Sequence, residues 1–122
     1  MRPILLCAGM DAGRAMRTSM IALSLGIGYR EIKKSEYPLP LCALLGDEKT
    51  GGIRPPALPV SGPMLVMAGF PDPLIDALLR ALRENDLSQG VLKAVLTDTN
   101  RFWSCGQLYA ELAKEAALFK RK

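Results

Sequence analysis

The sequence predicts a two-layer α/β sandwich built from two related β-α-β halves, and three observations support this fold class. Two apolar segments begin at Pro3 and Pro63 and match in residue type position by position. Each is followed by a helical pattern and then by a second strand pattern. The length of 122 residues suits one domain with one core. We expect a ferredoxin-like outline with an added C-terminal helix; the alternative is a small open α/β sheet with helices on both faces.

The two strongest strand candidates are residues 3–10 (PILLCAGM) and residues 63–70 (PMLVMAGF), which lie 60 positions apart. Near-continuous apolar runs that begin with Pro and end with Gly are typical of strands covered on both faces. Residues 29–34 and 90–97 are predicted to form the second strand of each half. The segment 39–45 suits either a strand or a single helical turn, and this alternative stays open.

Helical patterns follow each of the apolar strands. In the first half the predicted buried stripe consists of Met16, Met20, Leu23 and Ile27. In the second half Asp72 is the predicted N-cap and Pro73 the first helical residue. The apolar stripe of this helix consists of Leu74, Ile75, Leu78, Leu79 and Leu82, and its polar side of Asp76, Arg80, Arg83 and Glu84.

A last helix is predicted after Trp103. Ser104 and Gln107 stand in capping-box register, and Trp103 and Leu108 occupy the flanking staple positions. The predicted buried face consists of Leu108, Leu112, Ala116 and Phe119. The chain is thus expected to form one domain, 1–122, whose halves 1–45 and 63–122 are joined by a Pro/Gly-rich loop, 46–62.

Composition and charge exclude several classes of function. The net charge is +4, but Lys120, Arg121 and Lys122 carry three of these charges at the end of a helix, where they complement its dipole. The middle strands contain no aromatic residue for stacking on bases, so we expect no nucleic-acid partner. Residues 3–10 are too short to span a bilayer, so we expect no membrane partner and a cytoplasmic location.

The cysteines predict neither a disulfide framework nor a metal centre. Cys7, Cys42 and Cys105 are odd in number and widely spaced, and the chain has no histidine. We expect no cofactor. Cys7, inside an apolar strand, is predicted to lie in the core.

The best candidate for a ligand site is the turn after the last predicted strand. It lies between the carboxyl end of a strand and a helix start, where open α/β sheets bind ligands, and its backbone N–H groups could hold a small anion. The same residue types are also ordinary in turns that hydrogen-bond to themselves. The residues are Thr97, Asp98, Thr99, Asn100 and Arg101.

The matching turn of the first half supplies Asp11 and Arg14 to the predicted ligand site. It follows the strand at 3–10 and offers glycines and a helix start. Its pattern is not that of a phosphate loop, which needs a longer spacing and a Lys-Ser or Lys-Thr ending. A small anionic ligand is therefore the expected small-molecule partner.

Residues 63–116 also resemble a known family. The carrying features are Met64-Leu-Val-Met-Ala-Gly69-Phe70, the leucine-rich helix behind it, Leu92-Lys-Ala-Val-Leu-Thr97, Thr99-Asn100, Trp103 and Leu108-Tyr-Ala-Glu-Leu112. These resemble a bacterial domain of unknown function that is frequent in anaerobes. Where that family has Pro between the threonines and His near the end, this chain has Asp98 and Ala116. No activity is known for that family, so the resemblance leaves the function open.

Taken together, the sequence predicts a small cytoplasmic binding or regulatory module without catalytic residues. Two alternatives stay open. One is a thiol- or carboxylate-dependent enzyme or redox protein that uses Cys105 or Asp98, because a cysteine in the first turn of a helix can have a lowered pKa. The other is a structural homodimer.

Overall fold

Two β-α-β motifs supply a four-stranded mixed sheet in the computed structural model, which describes residues 2–46 and 58–120. The first motif is β1 (Ile4–Ala8), α1 (Ala12–Ser24) and β2 (Gly28–Glu31); the second is β3 (Met64–Ala68), α3 (Asp72–Glu84) and β4 (Leu92–Val95). By its internal contacts the chain divides into two units. The first contains both motifs, Met1–Glu31 with Gly62–Val95, and the second contains Ile32–Ser61 with Leu96–Lys122.

The strand order is β2-β1-β3-β4, and it confirms the α/β class while the ferredoxin-like outline is not confirmed. β1 pairs in parallel with β2, β3 pairs in parallel with β4, and the central pair β1 and β3 is antiparallel. The two parallel strands of each motif are therefore direct neighbours. In a split β-α-β sheet of the ferredoxin type, a strand of the other half would lie between them.

The core of the first unit lies between the central strands and the two long helices. Leu5 and Cys7 of β1 and Leu65 and Met67 of β3 belong to one buried cluster with residues of α1 and α3. The alternate positions of these strands are buried as well, which explains the continuous apolar pattern of both segments. The predicted core position of Cys7 is confirmed.

The predicted buried stripe of α1 is wrong. Its three helical members, Met16, Met20 and Leu23, are exposed, and only Ile27, beyond the helix, is buried. The helix turns a narrow face inward, formed by Ala15, Thr18 and Ala22. Ala15 and Ala22 belong to the same buried cluster as Leu78 and Leu82 of α3, and Ile21 and Leu25 pack against its edge.

The predicted apolar stripe of α3 is confirmed, but its predicted N-cap and first helical residue are wrong by one position. Pro71 is the N-cap and makes no side-chain capping bond, and Asp72 is the first helical residue. Pro71 holds an extended conformation that ends the preceding turn. Leu78 and Leu82 are fully buried, and the remaining members of the predicted stripe, Leu74, Ile75 and Leu79, pack against the same cluster.

The first strand and the helix of the two motifs agree in length at an offset of 60 positions. β1 and β3 have five residues each, and α1 and α3 have thirteen each. Gly9 and Gly69, which end the central strands, both have a positive φ, 68° and 73°. A left-handed residue at the strand end turns the chain toward the helix layer, and glycine adopts this conformation without a steric penalty.

The second unit contains α2 (Leu41–Leu44), α4 (Cys105–Lys120) and two 3₁₀ turns, Lys34–Glu36 and Asn100–Phe102. The open question at 39–45 is answered by α2, a single helical turn. Pro40 and Ser104 form an isolated antiparallel bridge. The backbone N–H of Leu41 donates to the Trp103 carbonyl at 2.9 Å. The starts of α2 and α4 therefore lie side by side.

The predicted capping box of α4 is confirmed. The Ser104 N–H donates to Gln107 Oε1 at 3.0 Å, and the Gln107 N–H donates to Ser104 Oγ at 3.2 Å. Gly106, in the first turn, lies so close to the Leu58 backbone that a Cβ atom there would overlap the Leu58 carbonyl. Most of the predicted loop 46–62, namely residues 47–57, lies outside the described residues.

Candidate functional site

The first predicted site turn stabilises the start of α1. The Asp11 carboxylate accepts a hydrogen bond from the Arg14 backbone N–H at 3.2 Å and forms an ion pair with the Arg14 guanidinium. Hydrogen bonds from Arg14 hold the pKa of Asp11 below its usual value. The structure thus brings Asp11 and Arg14 together. An anion at this helix start would compete with a carboxylate that is already bound there.

The second predicted site turn, in the second unit, bonds to itself. The Thr97 N–H donates to Asn100 Oδ1 at 2.8 Å, and the Asn100 N–H donates to Thr97 Oγ1 at 3.0 Å. The Arg101 N–H donates to the Thr97 carbonyl at 3.1 Å. Three of the backbone N–H groups that could hold an anion are therefore engaged within the turn, as expected for a self-bonded Asx-type turn.

The remaining residues of that turn have different surroundings. Asp98 and Thr99 are exposed, and Asn100 is buried. The Arg101 guanidinium lies over the Phe102 ring, 5.0 Å from its centroid. The ligand role of Thr97 to Arg101 stays a prediction.

The strands that precede the two predicted turns run in opposite directions in the sheet. β1 runs antiparallel to β3, with Ile4 opposite Ala68, and β4 runs parallel to β3. The carboxyl ends of β1 and β4, which precede the two turns, therefore point in opposite directions. The similarity of the two halves in sequence therefore does not bring the carboxyl ends of β1 and β4 to the same edge of the sheet.

All three cysteines are buried: Cys7 is 1% exposed, Cys42 2% and Cys105 0%. Burial raises the pKa of the Cys7 thiol and that of the neighbouring Tyr29 hydroxyl. A reactive thiol needs access to solvent and a lowered pKa.

In residues 2–46 and 58–120, no group of three or more Cys, Asp or Glu side chains is placed to hold a metal ion.

The first unit exposes an apolar surface on α1, formed by residues whose helical periodicity predicts a buried face. Met16, Met20 and Leu23 are 64%, 62% and 69% exposed and share one face of α1; we name them the α1 apolar stripe. Their spacings of four and three residues place them on one line along the helix. Sequence reasoning could have found this stripe from the 60-residue offset, since the matching positions of α3 are charged.

A groove adjoins the α1 apolar stripe within the same unit. It has a volume of about 270 Å³ and is lined by Arg17, Met20, Ile21, Ser24, Asn85 and Leu87. Arg17 Nη2 donates to the Asn85 carbonyl at 2.8 Å, which holds the guanidinium at the wall of the groove. Met20 belongs to both the stripe and the groove, so the two form one continuous surface.

Comparison with known families gives a match for one segment of the chain. The model of the family described as a domain of unknown function (DUF3783) matches residues 63–119, which confirms the resemblance of this segment to a domain of unknown function. No curated protein and no solved structure matches the chain. Of the helices in residues 2–46 and 58–120, none combines the length and apolarity needed to cross a membrane.

Proposed function

We propose that this chain is a small cytoplasmic binding module without catalytic activity, and that it binds a protein partner through the α1 apolar stripe. The observation that carries the proposal is the exposure of Met16, Met20 and Leu23 on one helical face. Contiguous exposed apolar side chains mark interaction sites in soluble proteins. Methionine suits this role because its flexible, polarisable side chain adapts to the surface of a partner.

Comparison with α3, the equivalent helix of the same unit, supports the proposal. At the offset of 60 positions, the counterparts of the stripe are Asp76, Arg80 and Arg83, all exposed. The fold therefore accepts charged residues at these places. Since the fold does not require apolar side chains on the outer face of α1, their presence there needs a different reason.

The burial of the thiols favours binding over the enzymatic alternative. Cys105 is fully buried in the first turn of α4, where it lacks the solvent access that a nucleophile or redox centre needs. Asp98 is exposed in a self-bonded turn, whereas a carboxylate used as an acid or base is commonly in a cleft.

The proposal includes an internal duplication of the chain. The support in the first unit is the equal length of the paired elements, with an offset of 60 positions for β1 and β3 and for α1 and α3, and of 64 positions for β2 and β4. In the second unit, Lys33 donates its N–H to Glu36 Oε1 at 3.0 Å, as Thr97 does to Asn100 at 2.8 Å, at an offset of 64 positions. Duplication left two helices in equivalent places, of which one could acquire a binding face.

Photocrosslinking tests the proposed function. A benzophenone amino acid replaces Met20 in one variant and Arg80 in another, and both are irradiated in cells that express them. We expect an adduct of defined mass from position 20 and none from position 80. An adduct of twice the chain mass would identify a second copy as the partner. Equal results at the two positions would contradict the proposal.

A matched set of variants then assigns the adduct to the stripe. The crosslinker is placed at Ser24, which lines the groove, in a chain carrying Met16→Asp, Met20→Arg and Leu23→Arg. These substitutions copy the residues of α3 onto α1. We expect the adduct to disappear. The control chain carries Arg80→Ala and Arg83→Ala and should keep it.

A further inference from the structure

We propose that the partner segment is an amphipathic helix with carboxylate side chains beside its apolar residues, and that Arg17 is the anchor for one carboxylate. This inference rests on the proposed function and names the chemistry of the partner. It follows from the shape of the groove, from the charge around the α1 apolar stripe, and from the position of Arg17 between them.

The groove is a small depression beside the α1 apolar stripe. Its volume of about 270 Å³ lies below the roughly 300–1,000 Å³ typical of pockets that bury a whole small ligand. Ile21, Leu87 and Met20 supply its apolar lining. A partner helix laid along the stripe would place one large apolar side chain in this groove, as in other helix-in-groove complexes.

The charges that α1 itself carries are positive. α1 contains Arg14 and Arg17 and no acidic residue. The charge of Arg14 is balanced by its ion pair with Asp11. Arg17 donates to a backbone carbonyl, which is neutral, so this bond orients the guanidinium without cancelling its charge. Of the charges that α1 itself supplies, that of Arg17 is therefore the one that no carboxylate balances.

A carboxylate on the partner would complement this charge. Charge-assisted hydrogen bonds between arginine and carboxylate are among the strongest in proteins, and complementary charges also set orientation. A second copy of the chain fits less well, because two α1 helices packed stripe to stripe would bring Arg17 against a helix with no carboxylate. The occupant we infer is therefore an acidic segment of another protein.

Two synthetic helices of about four turns test the inference. Both carry leucines at the spacing of the stripe; one has glutamates at the flanking positions and the other has lysines. Binding to the whole chain is measured by fluorescence anisotropy at low and high salt. We expect the glutamate peptide to bind on the order of tenfold more tightly than the lysine peptide, with the difference shrinking at high salt.

Variants of the chain locate the effect. Arg17→Gln should remove most of the preference for the glutamate peptide, while the control Arg80→Gln on α3 should retain it. Equal binding of the two peptides, blocked by Met20→Arg, would overturn the acidic preference while the stripe remained a binding face. Binding of neither peptide, or sedimentation showing dimers formed through the stripe, would also overturn this inference; the crosslinking results would then decide the proposed function separately.

Discussion

Helices α1 and α3 occupy equivalent places in the first unit and each buries one face, but their outer faces differ in chemical character. Both have thirteen residues and follow a central strand of the sheet. The outer face of α3 is charged, whereas that of α1 carries Met16, Met20 and Leu23. Packing constrains the inner face of a helix and leaves its outer face free. The difference between the outer faces is the basis of the proposed binding role of α1.

The inner faces differ in size, and this predicts the largest effect on stability. α3 buries Leu78 and Leu82, where α1 has Thr18 and Ala22. Leu82→Ala should reduce the free energy of unfolding by about 2–5 kcal/mol, because it removes a fully buried side chain and leaves a cavity. Urea unfolding monitored by circular dichroism measures the change. A loss below about 1 kcal/mol would mean that α1 and α3 close over the cavity.

The ends of the two helices predict a pair of opposite effects. Gly26 after α1 has a φ of 73°, and its counterpart Asp86 after α3 has a φ of 56°. Left-handed backbone favours glycine. Gly26→Ala should therefore destabilise the chain and Asp86→Gly stabilise it, each by about 1 kcal/mol. No atom lies within 4 Å of a Cβ at Gly26, so the effect there is one of backbone conformation.

Thermal unfolding of both variants measures this pair. Shifts of the melting temperature in the same direction would show that the two helix ends are not equivalent. Gly90, which also has a positive φ but follows no helix, serves as a reference position.

The outer face of α1 is expected to contribute little to folding. The triple variant Met16→Asp, Met20→Arg, Leu23→Arg should change the free energy of unfolding by less than about 1 kcal/mol, since exposed substitutions usually have small effects. The same urea titration checks this. A loss as large as that of Leu82→Ala would show that the stripe packs within the protein and is no binding face.

The smallest effect is expected at the start of α1, where a carboxylate caps the helix; Pro71 makes no such bond in α3. Because Arg14 lowers the pKa of Asp11 in the folded chain, this cap contributes stability above the usual carboxylate pKa. The contribution is lost as the pH falls through the lowered pKa. Asp11→Ala should therefore reduce the melting temperature slightly at neutral pH and converge with the parent chain in acid.

Local signals explain what the sequence predicts well. The strands at Pro3 and Pro63 are continuous apolar runs, and the start of α4 is marked by Ser104 and Gln107. Each of these features is specified within a few residues. Periodicity alone could not choose the inner face of α1, because that helix has apolar residues on two sides. The order of the strands depends on how the two motifs pair, which no local pattern encodes.

The candidate site was less predictable for the same reason. The turns at Asp11 and Thr97 were found as turns, and their internal hydrogen bonds agree with the residue types present. Whether the polar groups of a turn bond to one another or to a ligand depends on side-chain geometry. The α1 apolar stripe was visible in the sequence only by comparison with α3, because its residue types are those of a core.

Gly106 has a consequence for recognising other proteins built in this way. Because the main chain at Leu58 runs directly against the first turn of α4, position 106 accepts no side chain without displacing backbone. It lies inside the segment 63–119 that matches the family model. A chain with the same arrangement of these two segments should therefore retain glycine here, and one with a larger residue must route the segment before β3 differently.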